Sequence, residues 1–180
     1  MNILITGAAG FIGFNFSKFL LEKTKFNIIG IDNLNTYYSV KVKQERVKIL
    51  NKSRRFKFVK LDLTNKNRLE KIFKNKIYAV FNFAAQAGVR YSIKNPRAYI
   101  ESNTLGFFNV IELSIKNNIK KIFYASSSSV YGDSKKFPLS EIDPISPKNI
   151  YGLTKKNNEE ICELLSNYNK ISCIGLRFFT

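Results

Sequence analysis

Ile3-Leu4-Ile5-Thr6-Gly7-Ala8-Ala9-Gly10-Phe11-Ile12-Gly13 is the stretch from which the rest of the chain can be read. Its first three residues form a short apolar run, as expected of a parallel strand covered on both faces. Glycines at 7, 10 and 13 follow, and Ile12, Phe16, Phe19 and Leu20 then fall on one helical face. Strand, glycine turn and helix in that order suit an anion. Glycine lets the backbone approach a pyrophosphate, which rests on the free N–H groups of the helix's first turn. The spacing is G-x-x-G-x-x-G, not the commoner G-x-G-x-x-G, so alone it is an incomplete dinucleotide fingerprint. The same stretch is apolar enough to suggest a leader or membrane span. It lacks a basic start, however, and its glycines, Asn15, Ser17 and Lys18 interrupt it.

Outward from this unit, strands and helices alternate. Strands are expected at Asn27–Ile31, Phe56–Leu63, Tyr78–Phe83, Lys121–Ala125 and Ile171–Leu176. Helical spacing covers Val40–Leu50, Arg68–Lys74, Pro96–Lys116 (with Pro96 tolerated in the first turn) and Ile150–Tyr168. Six strands, each of the first five followed by a crossover, predict an α/β fold with an open, doubly wound parallel sheet. At 180 residues and without a linker or repeat, residues 1–180 read as one domain.

Composition excludes several chemistries. There is no histidine, which removes His-based acid–base catalysis, His metal sites and Ser-His-Asp triads. Cys162 and Cys173 match neither a disulfide framework nor a zinc spacing, so reduced thiols and no metal are expected. The net charge of +17 raises nucleic acid as a partner, with a lysine- and arginine-rich run between Lys41 and Lys60. Basic residues are nevertheless scattered over most of the helices, as in a chain-wide drift toward Lys, Asn and Ile. Nucleic acid and membrane are therefore not the expected partners, and the cytoplasm is the expected compartment.

In a doubly wound sheet the ligand lies at the carboxyl ends of the strands, and the unusual residues of this chain fall there. Asp32 closes the second strand, where a carboxylate accepts ribose hydroxyls and repels a 2′-phosphate. The fourth strand ends in Ala84-Ala85-Gln86-Ala87-Gly88, small enough for a flat ligand to lie on the backbone. Ser126-Ser127-Ser128-Ser129 ends the fifth; alone it would read as a turn or a cap. Tyr151 and Lys155 stand four apart on one helix face. A phenol titrates near 10 and becomes a base at neutral pH only with a cation beside it, which a lysine one turn away helps supply.

With these motifs in this order, the chain resembles the extended short-chain dehydrogenase/reductases, and within them the NAD-dependent nucleotide-sugar epimerase/dehydratase family. Residues 30–38, 84–92 and 176–180 look like UDP-glucuronate 4-epimerases in particular. The resemblance implies a Rossmann fold with NAD as cofactor. Gly7, Gly10, Phe11, Ile12 and Gly13 would hold the pyrophosphate. Asp32, Asn33 and Asn35 would meet the adenosine ribose and its surroundings, and Asp62 and Leu63 the adenine. Ala84, Ala85 and Gln86 would line the nicotinamide side, Asn103 would brace the strand ends, and Phe179 would join the cofactor set. Ser127, Tyr151 and Lys155 would be catalytic, with Tyr151 and Lys155 also touching NAD. Ser127, Ser129, Arg90 and Thr180 would contact substrate, Arg90 by pairing with a hexuronate carboxylate. Asn82 stands where the family often has histidine, a change expected to be tolerated.

The dehydratases of this family carry an acidic pair after the catalytic Ser/Thr, and here those positions are Ser128 and Ser129. That favours 4-epimerisation of a UDP-sugar, most simply UDP-glucuronate. A decarboxylase, dehydratase or reductase of the same family, or a non-catalytic NAD-binding module, remains an alternative. Family members continue into a C-terminal substrate domain and pair as homodimers. The 180 residues alone are therefore expected to lack that domain, to bind NAD and to be inactive.

Overall fold

The apolar runs pair as the alternation predicts. The computed structural model, which describes residues 1–179, contains six parallel strands: β1 (Asn2–Thr6), β2 (Asn27–Asp32), β3 (Phe56–Lys60), β4 (Ile77–Asn82), β5 (Lys121–Ser127) and β6 (Ser172–Phe178). Their order in the sheet is β3-β2-β1-β4-β5-β6. The chain winds one way from β1 to β3 and then crosses back to β4, so the sheet changes direction between β1 and β4. Cofactor clefts open at such a switch point.

Successive side chains on a strand face opposite ways, and both faces are buried here. Leu4, Ile29, Ile31 and Val80 point to one side and pack with Leu69, Phe107, Val110 and Ile111. Ile3, Ile5, Ile28 and Ala79 point to the other, against Leu20 and Leu50. Helices α1 (Phe11–Lys23) and α2 (Val40–Leu50) thus cover one face. Helices α3 (Lys66–Phe73), α6 (Phe107–Lys116) and α7 (Ile150–Asn169) cover the other. Among the described residues no helix is long and apolar enough to cross a membrane.

Three differences from the sequence expectation bear on the site. Strand β3 ends at Lys60, not Leu63, because the Asp62 carboxylate captures the backbone N–H and hydroxyl of Thr64 (3.0 and 2.7 Å) and turns the chain. A short helix α4 (Val89–Lys94) follows the small-residue end of β4. The long helix from Pro96 to Lys116 is not uniform. After α5 (Pro96–Tyr99) it widens into a π-helical stretch at Ile100–Gly106 before α6 resumes. Such wide turns leave residues out of the regular ladder and cluster at functional sites.

Candidate active site

The glycine turn after β1 is held open by its own backbone. Gly7 sits at φ +68°, and a Cβ there would lie 2.7 Å from the backbone nitrogen of Ala84. Only glycine allows the turn to press this closely on the end of β4. The Gly10 N–H donates to the Gly7 carbonyl (2.9 Å), and α1 starts at Phe11 without a side-chain cap. The first-turn N–H groups of Phe11, Ile12 and Gly13 therefore face an anion position.

Asp32, at the end of β2, is buried. Its carboxylate accepts the N–H of Ala9 from the glycine turn (3.1 Å) and the N–H of Leu34 (2.8 Å). Beyond it the loop is tied by amides. Asn33 donates to the Asp62 carboxylate (2.7 Å) and accepts from the Asn35 N–H (3.0 Å). Partial desolvation works to raise the Asp62 carboxyl, but hydrogen bonds from Asn33 and Thr64 outweigh it and hold the group below the usual carboxylate range. Leu63 is buried, with its carbonyl on the Asn109 amide (2.9 Å).

These strand ends enclose a cleft of about 180 Å³, lined among others by Gly7, Gly10, Asp32, Asp62, Ala84 and Ala85. Asn33, Asn35 and Leu63 also line it. The residues present fit a dinucleotide. They combine a backbone cradle that a Cβ would fill, a carboxylate at the end of β2 and a flat alanine wall. Behind that wall Thr6 donates to Asn82 (2.5 Å) and accepts from the Ala84 N–H (3.2 Å). The amide of Asn82 thus has a defined partner where the resemblance expected histidine.

The wide turn delivers Asn103. Its buried amide accepts the Gln86 N–H (2.7 Å) and donates to the Gln86 carbonyl (3.0 Å) and to Thr154 on α7 (3.2 Å). It ties the segment after β4 to α7. Gln86 is clamped and buried by these bonds and does not line the cleft.

At the end of β5 the Ser127 hydroxyl accepts the Ser129 N–H (3.2 Å) and lies close enough to the Tyr151 phenol to favour its charged form. Asn149 caps α7 by accepting the Gly152 N–H (2.8 Å), which fixes the first turn that carries Tyr151. Lys155 is 3% exposed and donates to the Ala125 carbonyl (2.8 Å), with its ammonium 5.8 Å from the Tyr151 ring centroid. Burial raises Tyr151 above its ordinary pKa, and the nearby Ser127 side chain only partly offsets this. Lys155 thus does not by itself bring the unliganded phenol down. Burial also pushes Lys155 down to about 8.

This has a consequence for stability. An unfolded lysine titrates near 10.4, so between about pH 8 and 10.4 the unfolded chain binds the extra proton and folding becomes more favourable as pH rises. Below about pH 8 the buried charge weighs fully against the fold. Melting temperatures of the unliganded protein and of Lys155→Met should therefore converge, the wild type gaining on the variant, as pH rises through 8 to 10. A constant difference would contradict the buried ammonium.

The remaining expected contacts are less gathered. Phe179, assigned to the cofactor, packs beside Tyr131 (ring centroids 6.3 Å apart) and lies outside the cleft lining; it is Phe178 that faces Phe83 (6.4 Å). Arg90 is exposed on α4 and does not line the cleft, and Ser129 is half-buried beside Ser127. Thr180 lies outside the described residues. Among those residues no group of His, Cys, Asp and Glu could hold a metal ion. Sequence reasoning missed the Ser126–Glu159–Arg177 network behind Ser127. In it Glu159 accepts from Ser126 and takes the Arg177 guanidinium through both oxygens (3.0 and 2.8 Å). No local signal pairs Glu159 with an arginine 18 residues further on.

A switch-point cleft with a glycine cradle and a carboxylate at the end of β2, together with a Ser/Tyr/Lys trio at the end of the neighbouring β5, defines a short-chain dehydrogenase-like, dinucleotide-dependent protein. Residues 3–180 match the NAD dependent epimerase/dehydratase family, and the chain belongs to it. It is 47% identical over 182 residues to Protein CapI of Staphylococcus aureus, covering 100% of this chain and 54% of that protein. It is 42% identical over 183 residues to UDP-glucuronate 4-epimerase 4 of Arabidopsis thaliana, covering 100% of this chain and 41% of the relative. The crystal structure of UDP-glucuronic acid 4-epimerase from Bacillus cereus, in complex with UDP-glucuronic acid and NAD, superposes with a TM-score of 0.93 at 32% identity. It covers 100% of this chain and 57% of that one. The chain thus spans about half the length of the curated relatives it matches.

Proposed function

We propose that the whole protein is an NAD-dependent UDP-glucuronate 4-epimerase and that residues 1–180 are its NAD-binding domain, carrying Ser127, Tyr151 and Lys155. The observation that supports this most is Ser127 beside the Tyr151 phenol, with the ammonium of buried Lys155 5.8 Å from the Tyr151 ring centroid, at the end of the strand that pairs with the one whose end lines the dinucleotide cleft. NAD, when bound, takes a hydride from C4 of the sugar and returns it to the opposite face. The protein's part is protonic. Tyr151, as phenolate, accepts the proton of the sugar 4-hydroxyl, and Ser127 donates to the developing C4 oxygen. Lys155 supplies positive charge beside Tyr151, and on return Tyr151 gives the proton back. Burial raises the phenol, so this base works only while cations are held near it.

Ser128 and Ser129, uncharged at the positions of the dehydratase acids, support epimerisation over dehydration. A homodimer is supported by apolar side chains left exposed on the helical face, among them Leu105, Phe108 and Leu153. Incubating the whole protein with UDP-glucuronate should yield UDP-galacturonate by chromatography, with no net rise in NADH absorbance. Release of carbon dioxide with a pentose product would replace this reading by decarboxylation.

A further inference from the structure

One cation in the cleft forms no ion pair among the described residues. Lys43, on α2, lines the adenosine side and is 4% exposed. Its ammonium donates to the carbonyl and side-chain oxygen of Asn35 (2.8 and 2.7 Å) and lies 4.3 Å from the centroid of the Tyr38 ring. Arg46, one turn on, reaches the Ala9 carbonyl (3.2 Å) and the Tyr38 hydroxyl (3.1 Å), and so leans on the residue whose N–H holds Asp32. Among the described residues neither cation forms an ion pair with a carboxylate. Asp62, the other acid of the cleft, is taken by Asn33 and Thr64. Burying an ammonium is costly unless an anion faces it, and an apolar residue would anchor α2 at lower cost. Desolvation accordingly pulls Lys43 below the usual lysine range, while Asp32 works against that shift.

We propose that Lys43 and Arg46 form the cationic half of a site for a phosphate monoester on the adenosine ribose, which Asp32 keeps closed. The inference rests on the dinucleotide reading of the cleft and adds what decides between its two forms. The Asp32 carboxylate accepts the ribose hydroxyls and repels a 2′-phosphate, so NAD is favoured. With that carboxylate gone, the corner changes from one acid and two bases to two bases alone, and a phosphate finds its counter-charges already in place. In a dinucleotide cleft without this arrangement, removal of the acid would only relieve the repulsion, with no cation to draw the phosphate in.

Dissociation constants for NAD and NADP, measured by fluorescence titration on the wild type, Asp32→Ser, Asp32→Ser/Lys43→Met and Asp32→Ser/Arg46→Met, test this. Asp32→Ser should tighten NADP at least tenfold, approximately. Adding Lys43→Met or Arg46→Met should abolish most of that gain while moving NAD far less. Lys43→Arg, which keeps the charge, should retain it, and melting curves of every variant check that the fold is intact. If the NADP gain survives in both double variants, or if Lys43→Met weakens NAD and NADP equally, Lys43 is only a strut for the Asn35 loop and the proposal fails. Failure of the wild type to bind either dinucleotide would instead overturn the reading of the cleft itself.

Discussion

Tyr151→Phe in the whole protein should cut turnover by about 10²–10⁴ while NAD binding stays close to wild type. The phenol oxygen is the proton acceptor, and its removal leaves the ring in place. Tyr151 packs edge-on against Tyr99 (ring centroids 6.1 Å apart, 79° between planes), a contact that phenylalanine keeps. The Ser127 hydroxyl still accepts the Ser129 N–H, so the end of β5 should not move. Single-turnover kinetics separate the outcomes. A slow chemical step with an unchanged NAD constant supports the assignment, and wild-type turnover rules Tyr151 out as the base.

Glu159→Ala should produce the largest loss of stability. Glu159 and Arg177 form a two-pronged pair whose side chains are 16% and 18% exposed. Arg177 also donates to the Tyr131 hydroxyl (2.8 Å) and the Glu141 carbonyl (3.1 Å), and Ser126 donates to Glu159. Removing the acid strands the guanidinium in a half-dry site, which costs on the order of 3 kcal/mol. For a chain of this length that is a drop of about 6–12 °C in melting temperature. Replacing both partners with apolar residues should restore much of it, because the penalty comes from the unpaired charge and not from lost attraction. A Glu159→Ala protein that melts with the wild type would show the pair to be solvated.

The two features argued in these predictions differ in how far the sequence revealed them. Tyr151 and Lys155 were legible because their spacing, the serine strand end and the glycine turn come in a fixed chain order. Gly7, Asp32 and the alanine wall were legible for a related reason: each ends a strand, and strands announce themselves as apolar runs. The Glu159–Arg177 pair joins α7 to β6 across the end of β5, and nothing local marks two charges as partners. Lys43 was hidden differently, since in a chain of +17 a buried lysine reads as one more solvated base. Which of Phe178 and Phe179 faces Phe83 was not legible, because the pairing of Ser127 with Phe178 that sets it is a contact between distant strands. The end of β3 was missed because a single carboxylate, Asp62, stops a run whose apolar pattern would have carried on.

The wide turn at Ile100–Gly106 gives the helix from Pro96 to Lys116 spare length. One such widening is equivalent to a residue inserted into an otherwise regular helix. Dropping one residue within it would therefore leave α5 and α6 facing as they do now. The same loss inside α6 would swing everything after it by about 100° and pull Val110 and Ile111 out of the core. This helix can thus change length by one residue without refolding the domain, and it can do so only at the turn that carries Asn103. A chain that took up the slack would keep its core and lose the clamp on Gln86.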